Sequence, residues 1–465
     1  MATYNLTNSQ RNIIIGITLT ASFLSVLMMF LLITAFPKIM EEFHVNSTQV
    51  QWLTTGFMLT MAILIPITAY FIDTFSTRAV MLSAMGLFVL GTFISLIANT
   101  FVVLLIGRII QGMGSGIMMP LMQTILYLIF PREQRGYAMG LAGMIINVAP
   151  AVGPPLSGLL IKYFGWRSLF YIPLPIGFLL LIGVFFFMHN VTEQKETKVD
   201  VQSILLSTIG FGATLYGFTM LQDDAELTLV TTISLVVGLG AIVLFVIRQL
   251  RLDVPILEVR VMKTPIFALV SFIAILAFTL LIAFETIMPM FIQNAQGYSA
   301  YYGGLVVMPG ALTLAVVSFI AGKLFDQYGG KTIAITGFFL LGASALSAYF
   351  FLDVTSSFTL SVLIFILAMA GSALINMPIM TIGINSLPDS LIPHGTSVIN
   401  TIRQFGGTLG LIFIISFISR KEGDSVAIDP NQYMQGVSSA FFVVFLFALI
   451  GFLLSFIIKE QKDGS

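Results

Sequence analysis

Apolar stretches long enough to cross a bilayer recur from one end of this 465-residue chain to the other, and that recurrence leaves few folds open. A hydrocarbon core about 30 Å thick takes about 20 helical residues to cross. Inside it every backbone N–H and C=O must find its partner within the protein, which leaves helices or a closed barrel. The runs here are about twice the length of a barrel strand and do not alternate in polarity, so helices are predicted. Hydrophobic residues make up 57% of the chain and charged residues 9%. A soluble domain carries about 25% charged residues, so too little charge is present to cover a water-facing surface. The first run begins near Ile13 with no small-residue cleavage site behind it, and predicts a spanning helix rather than a signal peptide.

Six helices are predicted over 12–36, 49–71, 79–98, 102–128, 136–161 and 168–188. A polar stretch, His189 to Asp200, precedes two more at 201–220 and 228–248. After a charged stretch from Arg248 to Lys263, six others follow at 266–291, 301–322, 331–351, 357–380, 396–418 and 436–458. The expected architecture is therefore an all-α membrane protein of fourteen spanning helices. Residues 1–190 and 264–465 would each form a six-helix bundle, with a two-helix insert in 191–263.

Lys plus Arg and Asp plus Glu balance at 21 each, so no net field favours nucleic acid. No cysteine is present, which excludes disulfides, thiolate metal sites and cysteine nucleophiles. His44, His189 and His394 are far apart, which disfavours a metal cluster, and no ATP-binding P-loop occurs. No cofactor is expected. With the N-terminus placed in the cytoplasm, that side collects Arg11, Arg78, Arg132, Arg135, Lys195, Lys198, Arg248, Arg251, Arg260, Lys263, Lys323, Lys331, Lys459 and Lys462. The outer side holds Lys38, Lys162, Arg167, Arg420 and Lys421. This bias predicts two cytoplasmic termini. Arg108 and Arg403 remain inside helices.

An internal repeat relates Asp73 and Arg78, after the second helix, to Asp326 and Lys331, after the second helix of the last six. Each copy sets an acid four residues after a small residue and a cation five residues after the acid. Repeated halves with a substrate site between them are a common plan for transporters. Further motifs are Leu104-Leu-Ile-Gly-Arg108-Ile-Ile-Gln111-Gly112-Met-Gly114, then Gly140, Ala149, Gly153-Pro154 and Ser157-Gly158. Trp166-Arg167-Ser-Leu-Phe170 with Pro175-Ile-Gly177 follows, and then Gly395-Thr-Ser397-Val-Ile-Asn400-Thr-Ile-Arg403-Gln404-Phe-Gly406-Gly407. In this order, the motifs resemble those of the major facilitator superfamily, in its fourteen-helix drug:proton antiporter branch, over nearly the whole chain. One position departs: where the branch usually carries a first-helix acid, nine residues before Pro37, this chain has Met28.

The resemblance implies a bacterial multi-pass cell-membrane exporter, expected as a monomer, that expels small lipophilic amphiphiles in exchange for protons. Gly153 and Pro154 would pack helices closely and help seal the cavity. Asp73 and Asp326 would cap helix N-termini of the opposite half, the one starting near Gly395 being a candidate partner for Asp73, or else stand as solvated loop acids. Arg108, costly in apolar sequence, is a functional candidate, or else a structural cation held in an ion pair or a carbonyl clamp. Arg403 lies about two turns from its helix end and could snorkel. Glu285 is the only acid well inside a predicted span and is the candidate proton carrier with Arg108, unless it merely pairs with that arginine or faces the outer vestibule. A carboxyl group withdrawn from water holds its proton more tightly. Met28, Phe57, Gln123, Asn147, Phe284, Asn376 and Asn400 are candidate cavity residues, and Trp52 is a candidate interfacial anchor or site residue. Two rival readings remain. One is an exporter or flippase of a lipid or other physiological amphiphile, suggested by Met28. The other is a membrane-embedded enzyme, disfavoured by the lack of any clustered nucleophile and base.

Overall fold

The structure, a computed structural model, describes residues 7–192, 194, 200–224, 228–419 and 430–458. Fourteen apolar helices, each long enough to span a bilayer, account for nearly all of them. We number the main helices α1 (Asn8–Leu31), α2 (Ser47–Thr74), α3 (Thr77–Leu96), α4 (Phe101–Ile129), α5 (Arg135–Phe164), α6 (Pro173–Phe187) and α7 (Val201–Asp224). The others are α8 (Leu229–Arg251), α9 (Pro265–Met290), α10 (Ala300–Tyr328), α11 (Gly330–Phe351), α12 (Phe358–Asn385), α13 (Ile392–Ser419) and α14 (Pro430–Ser455). Polar residues set many of the starts. The side chains of Thr7, Asn46, Ser76, Thr100, Thr228 and Ser357 each accept a first-turn backbone N–H that would otherwise lack a partner. Prolines lie inside α2, α4, α5, α9, α10 and α12, where each removes a ladder bond.

Helices α1–α6 and α9–α14 form two bundles of six. An even number of spans puts both ends of the chain on one face, called here the terminal face. Alternation of the helices then places ten described cations of the sequence partition there, and Lys38, Lys162 and Arg167 on the far face. Lys195, Lys198, Arg420, Lys421, Lys459 and Lys462 lie outside the described residues. The last two predicted helices begin earlier than expected. Pro393 in α13 occupies the first turn, where its missing N–H costs nothing, so the helix starts at Ile392 rather than at residue 396.

The halves meet along two seams. On one, α5 packs against α10 at glycines: a Cβ added to Gly140 would stand 2.7 Å from Gly322 Cα. On the other, α2 lies beside α13, and the α7–α8 hairpin packs across both. Phe211 of α7 meets Phe405 of α13 with ring centroids 4.8 Å apart, while Trp52 of α2 stacks on Tyr216 of α7 at 5.7 Å. Trp52 is thus a packing residue between α2 and the hairpin. The hairpin is pinned at its base by Arg248, which donates two bonds of 2.8 Å to Asp200.

Two expectations follow. The Arg248 guanidinium, aided by Ser203 against the effect of burial, holds the Asp200 carboxyl at about 2. A depressed folded value stabilises the fold above the unfolded value near 4 and loses that contribution as pH falls through about 2. Asp200→Asn should therefore lower the melting temperature at neutral pH, the gap from wild type closing on acidification. Equal melting at neutral pH would refute the pin. Separately, a cysteine at exposed Gln194 tests which face is cytoplasmic. An impermeant maleimide added to intact cells should leave it unlabelled; labelling from outside would invert the topology.

Candidate functional site

Polar bonds between the halves begin at the terminal face. The α5 N-terminus leaves backbone N–H groups unpaired, and Asp326, at the end of α10, takes two of them. Gly136 N–H donates to Oδ1 at 2.9 Å and Tyr137 N–H to Oδ2 at 2.7 Å. Gly136 allows this approach, because a Cβ there would collide with the Asp326 carboxylate. Beside it, buried Arg135 donates to Asp389 and to Asn385, both at 3.0 Å. The related contact in the other half is different in kind. Asp73, at the end of α2, lies 3.0 Å from His394 Nε2, on the first turn of α13, and both are buried. His394 Nδ1 accepts the Glu258 backbone N–H at 3.1 Å, so the ring proton sits on Nε2 and is donated to Asp73. Arg78 stacks over Phe185, and Lys331 opens α11 on the same face.

Deeper, the bonds continue through Thr124–Thr396 (3.1 Å), Tyr127–Thr381 (3.3 Å), Asn400 donating to Gln123 (2.6 Å) and Asn147 donating to Ser318 (3.1 Å). Asn147 lies twelve residues, about 18 Å, along α5. Among the described residues no cross-half hydrogen bond is found beyond it. The halves are therefore fastened from the terminal face to about mid-membrane.

Arg108 is wholly buried in the first half. Its Nε donates to the Leu53 carbonyl at 3.1 Å, and Nη1 donates to the Met28 carbonyl at 3.2 Å and to Gln111 Oε1 at 2.5 Å. Its guanidinium lies 4.4 Å from the Phe57 ring centroid. Met28 and Phe57 thus serve Arg108, one through its carbonyl and the other through its ring. Glu285 sits five residues before the end of α9, about 8 Å from the far end, without a hydrogen-bonding or ionic partner among the described residues. No ion pair joins it to Arg108 in this conformation. Its neighbour Phe284 is buried against Phe441 of α14, with centroids 5.4 Å apart, so it packs between helices rather than lining the inter-half space. Asn376 donates to the Ser372 carbonyl while its Oδ1 has no partner. Gly153 and Pro154 lie in α5, where a Cβ on Gly153 would stand 3.1 Å from Phe30 of α1, so they fit α5 to its own half.

Sequence reasoning missed Arg135, Asp389 and His394 as members of the seam. A signal was present: a basic residue followed by glycine, Arg135-Gly136 and His394-Gly395, at the start of the fifth helix of each half.

Comparison with known proteins agrees with this architecture. The profile of the Major Facilitator Superfamily matches residues 18–411. The MFS-type transporter YcnB of Bacillus subtilis (strain 168) is 44% identical over 97% of this chain and 96% of its own length. The lincomycin resistance protein LmrB of Listeria monocytogenes is 35% identical over 97% of both chains. The crystal structure of the human organic anion transporter MFSD10 superposes with a TM-score of 0.70 at 12% identity, covering 96% of this chain and 99% of that one, which speaks to the fold.

The α5–α10 contact has a direct test. Gly322→Leu would drive a side chain into Gly140 and overpack the seam by about 1–3 kcal/mol. Spin labels at exposed Glu133 and Gln327 should then show longer distances than in the parent protein. An unchanged distribution would mean that the seam does not hold the halves together.

Proposed function

Because the chain belongs to the Major Facilitator Superfamily, we propose that it is a secondary exporter that expels lipophilic amphiphiles in exchange for protons by alternating access. The observation that carries this reading is the one-sided fastening of the halves, with Glu285, a carboxyl group without a partner among the described residues, towards the unfastened face. In the proposed orientation the terminal face is cytoplasmic, in keeping with its excess of Lys and Arg. The cell membrane is then the site of action, and the far face opens outward. Relatives named for lincomycin resistance and a 27%-identical multidrug transporter, MdtP of Bacillus subtilis (strain 168), support drug-like cargo.

The proposed cycle uses the geometry as follows. With the cytoplasmic seam fastened, Glu285 takes a proton from the outer side, and its neutral form suits an apolar surrounding. Rocking of one half against the other breaks the Asp326 and Asp73 contacts and opens the carboxyl group, which keeps its place on α9, to the inner side. There a cationic neighbour favours the ionised form, and the proton leaves. Arg108 is the proposed source of that positive field, since its position is held by two carbonyls and Gln111. Asp326 and Asp73 act as latches. A carboxylate at an exposed helix N-terminus contributes about 0.3–1 kcal/mol, and a partly buried one up to about 2 kcal/mol. Either is small enough to break in every cycle.

Proteoliposomes with imposed pH and voltage gradients, loaded with a panel of dyes, fluoroquinolones and lipids, test the proposal. Glu285→Gln is expected to abolish gradient-driven accumulation while retaining folding and some binding, and Glu285→Asp to keep part of the rate. Wild-type accumulation and substrate-induced proton movement in Glu285→Gln would remove Glu285 from the mechanism.

A further inference from the structure

Two arginines lie within the spans, and their surroundings differ. Arg108 has two carbonyls and an amide oxygen as acceptors, and of its nitrogens Nη2 alone is buried without one. Arg403 of α13 has none: Nη1 donates to the sulfur of Met380 at 3.5 Å, Nε is buried without a partner, and the guanidinium lies 4.8 Å from the Phe278 ring centroid. Among the described residues no carboxylate is within ion-pair distance of it. A guanidinium whose hydrogen-bonding partner among the described residues is a thioether, with the Phe278 ring and the Tyr127 phenol nearby, is costly in apolar surroundings.

Its position points inward. Arg403 follows Thr396 by seven residues and Asn400 by three, and both of those bond to α4 of the other half. It therefore lies on the stripe of α13 that faces the opposite half. Other groups on the facing helices are also unsatisfied. Gln123 Nε2 on α4 is buried without an acceptor, and so is Asn376 Oδ1 on α12, one turn before Met380, without a donor. Arg403 on α13 and Gln123 on α4 thus each hold an idle donor where these two helices face each other, and Phe278 lies against the guanidinium.

We propose that Arg403, with Gln123 and Phe278, forms the subsite for an anionic group of the cargo: a carboxylate, sulfonate or phosphate carried on an aromatic frame. A planar guanidinium binds such an oxyanion through paired N–H groups, and Phe278 offers a face for the adjoining ring. Glu285 lies seven residues beyond Phe278 on the same stripe of α9, about 10 Å away, so a zwitterion would present a charge to each. The inference deepens the exporter reading and rests on it for the word cargo.

The test is equilibrium binding, without any gradient, to the full chain in nanodiscs. The probes are rhodamine B, which has a free carboxylate, and its ethyl ester, in which that charge is masked; fluorescence polarisation is the readout. A charge-assisted hydrogen bond implies that the acid binds about ten- to hundredfold more tightly than the ester. In Arg403→Gln the acid-over-ester ratio should fall to near one, and Arg403→Lys should recover part of it. Met380→Glu supplies the guanidinium with a fixed carboxylate, so it should abolish the ratio even if Arg403→Gln fails to fold. Equal affinity of the wild type for both dyes, no binding of either, or a ratio that survives Arg403→Gln and Met380→Glu overturns the proposal. Gradient-driven export with no acid preference would sink this inference and keep the exporter. An acid preference that depends on Arg403, without gradient-driven export, would do the reverse.

Discussion

Hydrocarbon offers no hydrogen bonds, so a polar group that this chain takes into the membrane is under demand to bring a partner with it. Arg108 meets most of that demand with backbone: the carbonyls of Leu53 and Met28 give up oxygen atoms to it, and Gln111, itself donating to Thr92, holds its other side, while Nη2 is left without a partner. Around this clamp α1, α2, α3 and α4 are tied into one body. The small residues of α4 follow from the same closeness. A Cβ on Gly112 would stand 2.6 Å from the Phe57 carbonyl oxygen, so the helix that carries Arg108 must be bare where α2 crosses it.

The seam between the halves obeys the same demand with weaker means. Asp326 takes N–H groups that the α5 N-terminus leaves over in any case, so the bond forms without a dedicated donor side chain. Asp73 reaches the other fifth helix through the imidazole of His394, which is itself oriented by the backbone of the linker that follows the hairpin. One half is thus latched by backbone and the other by a side chain. Internal symmetry has been kept in position and lost in chemistry.

The spans, their order and the repeat were legible because each rests on length or on spacing, which a chain displays directly. Asp73 and Asp326 could be placed at helix ends, and helix N-termini named as partners, from the repeat alone. Partners supplied by carbonyls leave no trace in a sequence, since every residue has one. Arg108 and Arg403 therefore looked alike apart from depth, and depth ranked Arg403 as the blander of the two. Helical phase was hidden as well. α9 is apolar all round, so nothing in Ala283-Phe284-Glu285 told which of two adjacent side chains faces α14 and which does not. The start of α13 was set late because Pro393 reads as a breaker, although a first turn tolerates it.

The α7–α8 hairpin touches both halves, yet among the described residues no hydrogen bond runs from it to α2 or α13. Its contacts there are rings and aliphatic surface, Phe211 on Phe405, Tyr216 on Trp52 and Gly212 on Ile63, while its polar bonds are spent at its own base and on the linker. Apolar contact is non-directional and survives sliding. The hairpin is consequently a greased shutter: it can stay shut over one flank while the bodies beneath it shear. Among the described residues the opposite flank, where α5 crosses α10 at its glycines, has no such cover, so on that side the halves are held by their own contact alone.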